Sequence, residues 1–406
     1  MSNTPRWSRR GLLAGTASAI AGATLARVGH AQTAPAGTPT AAQPRPLPPY
    51  VNWKDPNQMI VHTATTIETK KSAFGTSIIT PSDRLYIRNN LPAPDVSIVA
   101  NRDAWEVSVE GVRQPRTLSV ADLKGMGLET VATVLQCSGN GRGYFADSPS
   151  GTKWTVGAAG CVIWSGVPVR SVVAALGGLA DGARFMTGTG GETLPAGIDP
   201  KSVMVERSVP VKAMDDAMLA WEMNGQPLPH AHGGPLRLVV PGYSGVNNIK
   251  YVKRLAFGAT ESDAAIQKTG YRMSPPGVKG DPSQPAVWEM DVKSWINGPT
   301  SDGGPVKAGL VQVHGVAMGA TRPVRRVDVS LDGGQTWHEA RFVGPDLGRF
   351  AWRQFVLPIQ LQPGQYMLAS RAQDSRFNWQ VETTPSNAGG YLNSGWRSHA
   401  FPITVA

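Results

Sequence analysis

Leu135-Gln136-Cys137-Ser138-Gly139-Asn140-Gly141-Arg142-Gly143 is the stretch on which the reading of this chain turns. A β-prone run over residues 130–135 ends here, and the chain enters a glycine-rich loop that carries a thiol. Glycines let backbone approach a ligand closely. Arg142 brings positive charge, which favours thiolate over thiol. A thiolate on an exposed turn is a nucleophile or a metal ligand. From these residues alone a buried structural cysteine stands equally open. A cysteine protease needs a paired histidine, and no local pattern supplies one.

Outward from this loop, composition bounds the answer. The 406 residues exceed one ordinary core and suggest two or three domains. A 41% hydrophobic content argues against global disorder. Gly 46 and Pro 33 favour turns and short strands. The net charge of +10 is spread without any run of five basic residues. Nucleic acid is therefore not expected as a partner, and small anions fit better.

Residues 1–31 read as a twin-arginine signal peptide. Arg9-Arg10 precedes an uncharged, Gly/Ala-rich stretch, and Gly29-His30-Ala31 resembles a cleavage site. This predicts a periplasmic protein exported already folded, a route suited to a cofactor inserted in the cytoplasm. Residues 32–49, rich in Ala, Pro, Thr and Gln, read as a linker or arm. No later run is long enough to span a bilayer, so no membrane span is expected. Cys137 and Cys161 allow at most one disulfide. No Cys-x-x-Cys-His occurs, so no covalent c-type haem is expected on the chain.

Residues 50–286 mix short strands with modest helices, an α+β pattern. Strands are expected over 105–109, 130–135 and 236–240. Short helices are expected after Ser119 and over 169–176, the latter stopped by Gly177-Gly178. From 287 to 406 short alternating strands follow one another. Asp332-Gly333-Gly334 marks a hairpin after residues 327–331. The spacing predicts an immunoglobulin-like β-sandwich.

Three further clusters carry chemistry. His230-Ala231-His232-Gly233-Gly234-Pro235-Leu236-Arg237 offers two histidines that read as metal ligands, or a Gly-Gly-Pro turn that cradles phosphate. A plain loop with a strand-edge arginine is equally consistent. Asn247-Asn248-Ile249-Lys250 adds donors and a cation, and a tight turn between would bring Arg237 and Lys250 together. Arg88-Asn89-Asn90-Leu91-Pro92-Ala93-Pro94 holds donors in a proline-stiffened loop. Gly270-Tyr271-Arg272 presents a phenol that serves either an anion site or packing.

Taken in order, these segments resemble the sulfite oxidase family of molybdopterin enzymes. Arg88-Asn89-Asn90-Leu91-Pro92 is similar to that family's Arg-Asn-His-Leu-Pro segment, and Gln136-Cys137-Ser138-Gly139-Asn140 to its Gln-Cys-Ala-Gly-Asn loop. Residues 219–229 resemble the stretch before the cofactor His and Arg. Residues 327–337 and Asn393-Ser394-Gly395-Trp396 resemble its dimerisation domain.

The resemblance implies a mixed α/β molybdopterin-binding domain at 50–286 and an immunoglobulin-like dimerisation domain at 287–406. It implies that Cys137 is the protein's sulfur ligand to molybdenum, beside the pterin dithiolene. Arg88, Arg142 and Tyr271 would line the catalytic anion pocket. Asn89, Asn90, His232, Arg237, Asn248 and Lys250 would hold the pterin and its phosphate. Two positions depart from the family pattern: Asn90 stands for a histidine and Gly270 for an aspartate.

The activity so implied is oxidation of sulfite to sulfate. A c-type cytochrome would take the electrons, and the chain would form a homodimer or heterodimer. The alternatives are a sulfane-sulfur dehydrogenase or reductase of the same family, or a secreted β-sandwich binding protein. The last accounts for neither the Cys137 loop nor the twin arginine.

Overall fold

The strand that ends at Cys137, Glu129–Gln136, passes from exposed to buried along its length, so its last four residues sink into the core. It pairs antiparallel with Ala159–Pro168, and Gln136 faces Ala159 across the ladder. Met218–Met223 continues this sheet, and Gln226–Pro227 and Arg237–Val239 both pair with it. The computed structural model describes residues 45–300 and 304–406. The expected signal segment 1–31, and the linker up to residue 44, lie outside the described residues.

A second five-stranded sheet runs Arg116–Ser119, Glu106–Glu110, Val252–Gly258, Phe185–Gly190, Glu206–Pro210. Its alternating Val107 and Val109 point into a core of aliphatic side chains. Helices Val120–Lys124 and Val169–Ala175 pack on that core. Ser119 and Asp122 close a capping box, which satisfies the first helix's free N–H groups. A small sheet of Met59–Thr63, Thr66–Thr69 and Ile87–Arg88 carries Arg88 at its edge.

The C-terminal part is a seven-stranded antiparallel system: Lys293–Gly298, Gly309–Met318, Arg353–Leu361, His338–Val343, Val324–Ser330, Gly364–Asp374, Phe401–Val405. Val324–Ser330 and His338–Val343 form the hairpin expected around Asp332, with Val327 opposite Ala340. This β-rich half and the α/β half share a core. Phe74, Val134 and Cys161 pack with Trp295 and Trp352. The two indoles are each 1% exposed, with centroids 5.8 Å apart. Burying each is worth on the order of 4–6 kcal/mol by area. No helix among the described residues is long and apolar enough to cross a membrane.

Candidate functional site

The Cys137 loop is fixed by its own hydrogen bonds. Cys137 N–H donates to the Ala158 carbonyl at 2.8 Å, and Asn140 N–H donates to the Cys137 carbonyl at 2.9 Å. The Asn140 side chain spans the base of the loop. Its Nδ2 donates to Gln136 Oε1 at 2.9 Å, and its Oδ1 accepts from Ala158 N–H at 3.1 Å. Gly141 adopts φ +90°, a conformation other residues rarely take. A Cβ on Gly139 would stand 2.3 Å from Arg142 Nη2. The loop's glycines thus serve a bend and a close approach of the Arg142 guanidinium.

Cys137 is 8% exposed and free of any disulfide, so it does not stand on an open turn. It forms part of the wall of two adjoining cavities. Cys161 differs. It lies mid-strand with no exposure, and burial pushes its thiol up to about 12, which makes it inert.

The first cavity, of about 250 Å³, is lined by Arg88, Cys137, Arg142, Trp154 and Tyr271. Gly389 and Tyr391 of the C-terminal half complete it. Arg142 is held in place: Nε donates to the Gly389 carbonyl at 2.8 Å and Nη1 to the Thr152 carbonyl at 3.0 Å. Tyr271 takes φ +49°, a left-handed conformation that is costly for an aromatic residue. Gly270 N–H closes the helix Ala265–Lys268 onto the Ala265 carbonyl.

The second cavity is lined by Asn89, Asn90, Cys137, His232, Arg237, Asn248 and Lys250, and also by Tyr86 and Glu192. Arg237 and Lys250, apart in sequence, face one space. Arg237 donates to the His232 carbonyl at 2.8 Å and the Asn248 carbonyl at 3.1 Å. Lys250 Nζ donates to Asn89 Oδ1 at 2.6 Å and to the Ala231 carbonyl at 2.7 Å. Asn248 spends its side chain on the backbone of the turn: Oδ1 accepts from Val240 N–H at 2.8 Å, and Nδ2 reaches the Tyr243 and Ser244 carbonyls. Asn90 touches the cavity from an exposed position.

The charge here is lopsided. Burial, then Arg237 nearby, pushes the Lys250 ammonium well below its ordinary value. Burial draws Arg237 down to about 10 and holds His232 far below the usual histidine range. Glu192 is the carboxylate among the lining residues, and burial pushes it up to about 7. Arg237 Nε, Ser138 Oγ and Glu192 Oε2 are buried without partners among the described residues. Cations buried without counter-charge are costly. The cradle fits a polyanion such as a pterin phosphate, with the Cys137 thiol at its edge for a soft metal. The two-histidine metal reading does not hold. His230 meets the Pro94 carbonyl at 2.9 Å, while His232 Nε2 faces Lys54 Nζ at 3.2 Å. No group of three His, Cys, Asp or Glu gathers around a metal position among the described residues.

Several residues of the site escaped sequence reasoning. Lys54 is buried, reaches the Leu85 carbonyl at 2.6 Å, and is drawn down to about 7 by burial. Glu192 lies in a segment without a motif. Tyr391 and Lys293 belong to the other half of the chain. None carries a local signal, because each is defined by what the fold brings beside it.

Comparison with known proteins identifies both halves of the chain. Residues 92–266 match the oxidoreductase molybdopterin binding domain, and residues 284–404 match the Mo-co oxidoreductase dimerisation domain. The fold and site thus define a molybdopterin-binding α/β domain followed by a β-rich dimerisation domain. Mitochondrial sulfite oxidase of Homo sapiens is 33% identical over 80% of this chain and 62% of its own length. Sulfite oxidase of Arabidopsis thaliana is 31% identical over 81% of this chain and 89% of its own. The crystal structure of the sulfane dehydrogenase SoxCD from Paracoccus pantotrophus superposes with a TM-score of 0.71 at 25% identity, covering 85% of this chain and 89% of that one. The chain belongs to the sulfite oxidase family of molybdenum-dependent oxidoreductases. It spans about 62% of the length of the mammalian relatives it matches.

Proposed function

We propose that this protein oxidises sulfite to sulfate at a molybdenum–molybdopterin centre and passes the electrons to a separate c-type cytochrome. The observation that carries the reading is one cavity in which Arg88, Arg142 and Tyr271 surround Cys137. Two guanidinium groups suit a small dianion, because charge-assisted donors in a recessed site bind more strongly than in water. Tyr271 orients the anion or moves a proton at its phenol oxygen. Trp154 excludes water from one wall. When bound, the metal would supply the two-electron redox chemistry that oxidation of sulfite requires. Cys137 is its protein ligand, and Asn89, Asn90, His232, Arg237, Asn248 and Lys250 hold the pterin and its phosphate.

The same reading takes residues 50–286 as the catalytic domain and 287–406 as an immunoglobulin-like sandwich through which two subunits pair. It also takes the twin arginine as an address to the periplasm, and assigns no haem to this chain. A second reading, oxidation of sulfane sulfur, is favoured by the likeness to the sulfane dehydrogenase. One experiment separates them: purify the mature protein, measure molybdenum per chain, and follow cytochrome c reduction with sulfite or a sulfane substrate. Near-stoichiometric metal with sulfite turnover is expected. Absence of molybdenum from correctly matured protein would overturn the reading, and full loading without sulfite turnover would reject the substrate.

A further inference from the structure

Four side chains stack in series across the two halves of the molecule. The buried Arg207 guanidinium lies 5.5 Å from the Tyr271 ring. The Tyr271 ring lies 5.0 Å from that of Tyr391, only 20° from parallel. The Tyr391 ring in turn lies 5.6 Å from the Arg142 guanidinium. Each step is a favourable cation–π or stacked contact. The middle two rings and the terminal arginine all border the anion cavity beside Cys137.

The chain around Tyr391 is shaped for this placement. Tyr391 N–H donates to Asn387 Oδ1 at 2.8 Å, and Asn387 Nδ2 donates back to the Tyr391 carbonyl at 2.9 Å. A Cβ on Gly389 would stand 2.0 Å from Tyr391 Cε2, and one on Gly390 would stand 2.7 Å from Arg142 Cγ. Both glycines are therefore required by the side chains they let pass. Leu392 N–H donates to the Ser138 carbonyl at 2.9 Å, pinning the segment to the residue after Cys137.

We infer that Tyr391, contributed by the C-terminal half, is a positioning residue for the oxyanion substrate. It acts through Arg142 and Tyr271, which it holds apart at a set spacing across the cavity. Without the ring, Arg142 keeps its charge but loses one wall of its seat, and Tyr271 loses the face that steadies its costly backbone conformation. The consequence falls on anion binding rather than on metal retention, since Tyr391 borders the anion cavity and not the cationic cradle. The stacked ring face is assigned this role, and the hydroxyl, which meets the Tyr271 backbone, is not, so phenylalanine is expected to suffice.

This inference rests on the proposed sulfite reading, and its test separates the two. Prepare molybdenum-loaded wild type, Tyr391→Phe, Tyr391→Leu and Tyr391→Ala. Measure molybdenum per chain, kcat and KM for sulfite, and the Kd of sulfate by calorimetry. Tyr391→Ala and Tyr391→Leu are expected to raise KM and sulfate Kd together by about tenfold, the scale of one lost stacking partner. Their kcat and metal content stay within about twofold of wild type, and Tyr391→Phe restores both binding constants. Should Tyr391→Ala fail to fold, Tyr391→Leu carries the test. Unchanged KM and Kd would overturn the inference, as would metal loss in parallel with weaker binding, or failure of Tyr391→Phe to restore binding. A wild type that binds sulfate but does not turn over sulfite would instead reject the substrate, leaving the Kd comparison to decide the role of Tyr391.

Discussion

Lys293 Nζ, from the C-terminal sheet, donates to the Asn140 carbonyl at 3.3 Å, three residues beyond Cys137 in the catalytic loop. The same ammonium donates to the Asn393 carbonyl at 2.7 Å, and Asn393 Nδ2 donates to the Gly141 carbonyl at 2.9 Å. The loop that presents the thiol is therefore held from both halves of the chain.

Burial draws Lys293 down from 10.5 to about 7, with Asp291 partly opposing. Between those values the unfolded chain binds a proton that the folded one does not, so stability rises with pH across that window. Lys293→Met is expected to flatten this rise. Denaturant midpoints of wild type and variant, compared at pH 7 and pH 9, check it. Parallel pH dependence would show that Lys293 keeps its proton throughout.

Cys137→Ser exchanges a soft thiolate for a hard alkoxide precursor at the proposed metal ligand. Turnover is expected to fall by more than about 100-fold, beyond the usual effect of changing an outer-shell partner. Steady-state sulfite oxidation, normalised to folded protein by circular dichroism, measures it. Retained activity would remove Cys137 from the metal.

Gly139→Ala places a methyl group where Arg142 Nη2 now lies, 2.3 Å away. The guanidinium must move, while the strand beneath is untouched. A rise in KM for sulfite of about 10-fold is expected, the worth of one charge-assisted hydrogen bond. The melting temperature should drop by only a few degrees, on the scale of about 1 kcal/mol. A large loss of Tm with unchanged KM would contradict the seat assigned to Arg142.

Lys250→Met removes one of the cations buried around the second cavity. In the metal-free protein this relieves charge crowding with Arg237, so thermal stability is expected to hold or rise. In the cofactor-bound protein the change should lower stability, because the ligand's contribution shrinks as its affinity falls. Melting curves of both forms, with molybdenum quantified, give the comparison. Equal effects in both forms would detach Lys250 from the cofactor.

Much of the order of the molecule was legible along the chain. The β-prone run before Cys137, the capped helix after Ser119, the Gly-Gly stop at 177–178 and the hairpin around Asp332 all rest on local rules. Those rules are hydrophobic period, capping chemistry and turn residues, and they act over a few residues. The strand expected over 236–240 is narrower, Arg237–Val239, because Val240 N–H turns to the Asn248 side chain. Whether the Cys137 thiol is exposed or buried was left open by the sequence for a different reason. Exposure is a property of the whole surface, and Cys137 is covered by segments distant in sequence.

By itself the sequence determined the α/β-then-β order, the thiol in its glycine-rich loop, and the cations that follow it. Only the tertiary structure decided that Tyr391 and Lys293 close on that loop, that His230 and His232 part ways, and that Glu192 and Lys54 join the buried charges. The physical reason is that a motif records residue type at fixed spacing, whereas burial and electrostatic coupling depend on distances in space. Residues far apart in the chain, such as Gly141 and Asn393 or Lys54 and His232, meet here within about 3 Å, and such meetings set the charge of the site.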